Sequence, residues 1–200
     1  MFNVLLDKGF PTDYKGYELN TDFRVGIQLT LLLEDETFPE DVRILTALKI
    51  LYKDETPPLE EAIRGMLWFL SCGKSEQRTE NEKEENTTDK AIDFAVDNLD
   101  IWGAFWSKGI DLTKVNMHWF KFITALGYID KDCPLAQKMS YRTADLSKLK
   151  GDTKKFYAEL KEKYRIKPIY TPEEYEELLK QKEKQHGSYY MKLLKTQLQL

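Results

Sequence analysis

The chain has few of the groups from which catalytic sites are usually built. Its 200 residues include two cysteines and two histidines. Cys72 and Cys133 have neither C-x-x-C spacing nor a histidine cluster nearby, so neither a zinc site nor a disulfide framework is expected. Two thiols in a chain of this length suit a reducing cytoplasm. Only His118 and His186 ordinarily titrate near neutrality, and neither adjoins a Ser or Cys in a nucleophile motif such as G-x-S-x-G. The phosphate-cradling loops G-x-x-x-x-G-K-S/T and G-x-G-x-x-G are missing as well. No apolar run approaches the roughly 18 residues that span a bilayer. The opening Met1-Phe2-Asn3-Val4-Leu5-Leu6-Asp7 lacks the basic region and full apolar stretch of a signal peptide. These absences argue against an enzyme, a bound cofactor or metal, a membrane span and secretion.

Charge is plentiful but unevenly placed. Residues 1–144 carry 17 basic and 25 acidic side chains, whereas residues 145–200 carry 13 basic and 9 acidic. The basic excess is densest between Lys148 and Lys167, where eight Lys/Arg face only Asp152, Glu159 and Glu162. Such a segment suits an acidic partner or the acidic front of another copy, and Lys154, Lys155, Lys161 and Lys163 are its candidate contact residues. A solvated helix surface accounts for the same lysines without a partner. Nucleic acid is disfavoured, because a pI near 5.4 repels phosphate and no recognition motif accompanies the patch.

The apolar pattern is mainly helical. Phe2, Val4 and Leu6 alternate with other residues, and Tyr17-Glu18-Leu19 follows a break at Pro11 and Gly16, so a short N-terminal hairpin is expected from these two segments. A first helix runs from an Asn20 or Thr21 cap through Phe23, Ile27 and Leu31 to Leu33. A second starts near Pro39, and a third runs from Leu59 to a stop at Cys72-Gly73. Residues 74–88 contain no aliphatic or aromatic side chain and read as a solvated linker.

From Asp89 the spacing of Ile92, Val96, Leu99, Trp102 and Phe105/Trp106 predicts one long helix stopped by Gly109. A partner helix is expected from an Asp111 or Thr113 cap through Met117, Trp119/Phe120 and Ile123 to Gly127, with the aromatic pairs meeting between the two. In that register Asp93 and Asp97 form the wet face opposite Ile92, Val96 and Leu99, and a divalent ion between the two carboxylates is the less favoured reading. Trp102, Trp106, Trp119 and Phe122 are assigned chiefly to packing. His118 is expected at the edge of the core, donating to a backbone carbonyl.

Beyond Pro134 a short helix through Leu135 and Met139 precedes another from Asp152, carrying Phe156, Leu160 and Tyr164 on one side. Thr171-Pro172-Glu173-Glu174 has the form of a capping box, and the amphipathic stretch from Tyr189 and Tyr190 to Leu198 is suited to docking. The expected architecture is therefore mainly α: a helical bundle with a small N-terminal β-hairpin and a charged helical C-terminal extension. Its parts are a hairpin with helices over 1–73, the linker over 74–88, a helical hairpin over 89–145 that packs with the N-terminal part, and the extension over 146–200.

Several pieces occur together in order: Tyr17-Glu18-Leu19-Asn20-Thr21-Asp22-Phe23-Arg24, then Gly109-Ile110-Asp111-Leu112, Met117-His118-Trp119-Phe120-Lys121-Phe122, Tyr141-Arg142 and Phe156-Tyr157-x-x-Leu160-Lys161. This ordered set resembles the "gene product fifteen" family of siphophages and prophages of Gram-positive bacteria, over roughly residues 3 to 165. The chain departs from that pattern at Phe120, where a second tryptophan is common, and in the long segment after Pro168. Family genes lie beside the tape-measure gene. The resemblance therefore implies a tail-assembly chaperone that keeps the tape-measure protein soluble in the host cytoplasm and is absent from the mature virion. Further expected partners are the major tail tube protein and additional copies of the chain, for which the basic segment offers Lys154, Lys155, Lys161 and Lys163, and the amphipathic end Tyr189 and Tyr190, as contact candidates. The alternative it leaves open is a structural tail or connector component of the virion.

Overall fold

The computed structural model describes residues 2–74, 90–167 and 177. The expected linker, from residue 75 on, and the expected helices beyond Pro168, with Tyr189 and Tyr190, lie outside the described residues. The fold is mainly α: a two-stranded hairpin, β1 (Asp13–Tyr14) and β2 (Tyr17–Glu18), precedes seven helices among the described residues. These are α1 (Phe23–Glu34), α2 (Glu40–Leu51), α3 (Leu59–Leu70), α4 (Asn98–Trp106), α5 (Trp119–Gly127), α6 (Pro134–Arg142) and α7 (Gly151–Tyr164), with a 3-10 turn at Leu146–Lys148.

The hairpin keeps its expected second strand at Tyr17–Glu18, but its first strand is Asp13–Tyr14 and not the opening residues. Lys15 and Gly16, at φ +53° and +89°, form a two-residue turn whose twist matches antiparallel strands, and Asp13 Oδ1 accepts from the Gly16 N–H at 3.0 Å. Tyr14 thereby pairs with Tyr17. The alternation at Phe2, Val4 and Leu6 gives no strand. Asn3 instead nucleates a turn: its carbonyl accepts from the Leu6 and Asp7 N–H groups, and its side chain accepts from Leu5 N–H at 3.0 Å.

The segment Tyr17–Arg24 stitches the body together. Leu19 N–H donates to Thr12 O at 2.9 Å and Asn20 N–H to Leu51 O at 2.7 Å, so the strand joins the hairpin to the end of α2. Further along, Phe23 N–H donates to Met117 O and Trp119 N–H to Thr21 O, each at 2.8 Å, which fixes the start of α1 against the start of α5. Asp22, rather than Asn20 or Thr21, caps α1, accepting from Arg24 N–H at 2.9 Å. The Arg24 guanidinium then reaches Leu112 O at 2.6 Å and Val115 O at 3.2 Å, satisfying carbonyls that lie outside any helix.

One core unites α1 to α6, with Leu29, Leu51, Phe69, Phe122 and Leu135 almost wholly removed from solvent. α1 packs on α2, α3 and α5. Gly26 is what lets α5 approach, because a Cβ at that position would overlap the Trp119 ring. Trp119 in turn stacks on Phe122 at 5.8 Å between centroids, and Phe122 on Phe105 at 5.2 Å and 11°.

The region around α4 and α5 departs most from its expected register. Among the described residues from Lys90 on, no helix precedes Asn98, where α4 begins, and residues 94–96 form turns. Its inward face is Ile101, Ala104 and Phe105, whereas Val96 and Leu99 are 49% and 77% exposed. Asp97, expected on the wet face, is 1% exposed and holds Arg142 in a two-pronged pair at 2.6 and 2.9 Å. That pair accounts for the shift, since an ion pair taken out of water must be closely matched and this one fixes the residue just before α4. Asp93 supports it, its N–H donating to Asp97 Oδ2 at 2.9 Å. α5 likewise starts at Trp119 rather than near Asp111, and Asp111 caps a separate turn through the Thr113 N–H and hydroxyl at 3.1 and 2.7 Å. The tryptophans do not meet between α4 and α5: Trp102 stacks on Trp106 of its own helix at 5.2 Å, and the contact across is Phe105 on Phe122.

Candidate interaction surfaces

Two features qualify as surfaces for a partner: the lysine-rich helix α7 and the outer face of α4. α7 caps on no side chain and buries no residue, so packing alone does not hold it. Its place is set by directional contacts. Arg142, buried at the end of α6, donates through Nε to Tyr164 O at 2.6 Å and through Nη1 to Ala91 O at 3.0 Å while it grips Asp97. Tyr141 stacks on Tyr164 at 5.6 Å and 18°, and meets Tyr157 edge-on.

The four candidate lysines of α7 do not make one patch. At about 100° per residue, Lys154 and Lys161 share a face while Lys155 and Lys163 fan round the helix. Lys161 is drawn inward and donates to Ala144 O at 3.0 Å, so it ties α7 to the turn before it. Lys163 lies 5.2 Å from the Tyr164 ring centroid, and Lys154 and Lys155 are exposed. Phe156, expected inward with Leu160 and Tyr164, is 56% exposed.

The outer face of α4 was hidden by the assumed register. Leu99, Trp102 and Trp106 recur at the i, i+3, i+7 spacing of one helix face, opposite Ile101, Ala104 and Phe105. Trp106 is 54% exposed, so it belongs to the surface and not to the packing assigned to it, whereas Trp119 and Phe122 are buried as expected. The signal lay in composition: seven of the nine residues Asn98–Trp106 are non-polar, more than one inward face accommodates. Beside this face, between α1, α4 and α5, an open hollow of about 250 Å³ is walled mainly by apolar side chains, among them Phe23, Ile27, Phe94, Ile101, Trp102 and Leu112.

His118 is the N-cap of α5. Its Nδ1 accepts from Phe120 N–H at 3.1 Å, which leaves the proton on Nε2 to donate to Pro11 O at 2.9 Å. The expected carbonyl partner is thus Pro11. With both ring nitrogens engaged in the neutral form, burial lowers the His118 pKa, opposed in part by the Pro11 contact. Burial likewise pushes the Cys72 thiol up to about 11, far from a reactive thiolate. Among the described residues there is no group of three or more His, Cys, Asp or Glu side chains placed to hold a metal. No helix among them is long and apolar enough to cross a membrane.

Comparison with known families gives a match to the bacteriophage Gp15 protein family over residues 6–166, most of the chain. The chain belongs to that family. The matched region takes in the stitched strand, the stacked aromatic core and α7, and ends where the described body ends. Thus Asp22, Arg24, His118 and Arg142, which occur in the motifs of the family resemblance, act in this member as a helix cap, a clamp on loop carbonyls, a second cap and the joint to α7. No curated protein and no solved structure matches the chain.

Proposed function

We propose that this phage protein is a tail-assembly chaperone that binds the tape-measure protein and keeps it soluble while the tail tube forms. The observation that carries this reading is the second apolar face of α4, where Leu99 and Trp106 are left open to solvent beside the half-buried Trp102, on a helix that is already packed on its other side. A tape-measure protein is a very long helical chain whose apolar stripes aggregate before the tube encloses them. A preformed apolar helix face covers such a stripe by helix-to-helix contact. Many weak copies spread along one client bind it through avidity, so no single deep site is required. The exposed Lys154 and Lys155 on α7 favour an acidic flank of the client or of a tube subunit. The protein would act in the host cytoplasm and leave before the virion matures.

Co-expression with the tape-measure protein, followed by pull-down and size-exclusion chromatography with light scattering, tests the proposal. A soluble complex with several copies per client is expected, and the pair Leu99→Ser and Trp106→Ser should weaken it without unfolding the chain. An insoluble tape measure, with this protein eluting alone, would sink the reading. Recovery of the protein from purified virions by mass spectrometry would point instead to a structural tail or connector component.

A further inference from the structure

Glycine weakens the interior of a helix, so each one found there calls for a reason in the fold. Gly26 and Gly65 have one, because a Cβ at either would strike an aromatic side chain, Trp119 at Gly26 and Tyr52 or Tyr14 at Gly65. Gly103, in the middle of α4, has none among the described residues. Its φ is not left-handed, and a Cβ built on it meets nothing within 4 Å. Alanine would fit there and hold the helix better, so α4 keeps a weak point that its own packing does not use.

The position lies on the bare side of the helix. Leu99, Trp102, Gly103 and Trp106 stand at i, i+3, i+4 and i+7, the four corners of the diamond into which one side chain of a facing helix inserts. Three corners are bulky and the fourth is empty. The Trp106 ring does not fill it, since it lies over Trp102, with centroids 5.2 Å apart and planes 19° from parallel. Leu99 and Trp106 are 77% and 54% exposed. Asp100, the single charged residue of α4, is tied to Lys138 of α6, so no free charge of this helix borders the hole.

A position without a Cβ serves a partner whose backbone comes close, and the diamond matches the 3.6-residue period of a helix rather than the two-residue period of a strand. We infer that Gly103 determines specificity on this face: an amphipathic helix of the client crosses α4 over it and lodges one leucine-sized side chain between Leu99 and Trp106. The inference rests on the chaperone reading and deepens it, because it sets what the client must carry. That is a helical stretch with a bulky, uncharged residue at the crossing and its own charges on the far face. Shape, and not bare apolar area, then selects the stripe.

Filling the hole separates the two, because they predict opposite signs. Gly103→Leu adds apolar area and a better helix former at a place where nothing obstructs it. A face that binds by area alone would hold the client more tightly, whereas a hole that receives a side chain should bind it about 10- to 100-fold more weakly, the range for overpacking a fitted contact. The test co-expresses tagged Gly103→Leu, untagged wild type and the tape-measure protein, and reads the ratio of the two forms recovered on the client. Gly103→Ala should fall between them. Thermal unfolding of each variant alone is the second measurement, and Tm should rise by about 2–4 °C, as loss of a mid-helix glycine does in a chain of this size. A fall in Tm would give Gly103 a structural role and overturn the inference, as would recovery of Gly103→Leu equal to or above wild type; either result leaves the chaperone reading standing. A wild type that brings down no tape-measure protein sinks that reading, and the inference with it.

Discussion

Helices α5 and α7 both carry adjacent aromatic residues, yet they are held by opposite means. In α5, Trp119, Phe120, Phe122 and Leu126 are all buried, and the first three belong to one continuous cluster of rings. In α7 no residue is buried, and Phe156 stands in solvent. Apolar burial is proportional to area and indifferent to direction, so α5 is fixed by how closely rings fit. Hydrogen bonds and a matched ion pair contribute little net energy but demand a geometry, so α7 is fixed by where the Arg142 guanidinium can reach. The lesson is that one helix is part of the core and the other is a jointed attachment, placed by a few directional contacts among which the Arg142 joint reaches furthest into the body.

The largest blow to that contrast comes from Trp119→Ala. It removes a 2% exposed ring at the centre of the stack and should cost about 3–5 kcal/mol, lowering the midpoint of denaturant unfolding for the whole body. Loss confined to α7 would show that the two regions had been assigned the wrong way round.

Next comes Arg142→Leu, which strands the Asp97 carboxylate inside the protein. About 3 kcal/mol is expected, at the low end for a broken buried pair because the joint can open to water. Hydrogen exchange should accelerate across residues 151–164 while α5 stays protected. The double variant Asp97→Leu/Arg142→Leu should recover much of the stability but not the protection of α7, because the bond to Tyr164 O is gone.

A smaller, graded effect follows from His118. Its folded pKa is lowered by burial, so as pH falls the unfolded chain, with an ordinary histidine near 6.5, takes up the proton first. This contribution to stability is complete above about pH 6.5 and is lost as pH drops through that value toward the lower folded pKa. His118→Asn keeps a cap on α5 and should flatten that part of a stability profile measured between pH 5 and 8. The smallest effect is expected from Phe156→Ser, within about 0.5 kcal/mol by thermal unfolding, since its ring is mostly in solvent. A large loss there would make α7 a packed helix after all.

The parts of the fold that could be read in advance are those where one local signal met no competitor. α3 between Pro58 and Gly73, α6 behind Pro134 and the mainly helical class follow from punctuation and spacing. Reading failed where a charge went inside. A helix pattern starting at Asp89 is sound on periodicity alone, but it presumes that Asp97 stays wet, and its partner Arg142 lies 45 residues away. The same presumption hid the outer face of α4, because placing Val96 and Leu99 inward left no reason to turn Trp106 outward. The lysines of α7 were visible as charge but not as a surface, since Lys161 spends its ammonium on the Ala144 carbonyl.

By itself, then, the sequence determined the helical class, the scarcity of catalytic groups, the helix stops at Gly73 and Gly109, and a histidine bound to a carbonyl at the rim of the core. These depend on residues near one another in the chain or on composition, where propensity and periodicity act directly. Only the tertiary structure decided which face of α4 is bare, that Asn3 folds the first residues into an exposed turn, and that Arg142 couples α7 to the body. The first and last of those outcomes turn on the cost of leaving a distant polar group unpaired in the interior, a cost set by what the folded chain brings beside it, whereas the exposed Asn3 turn is placed by Phe2 packing on Phe10 and Phe120.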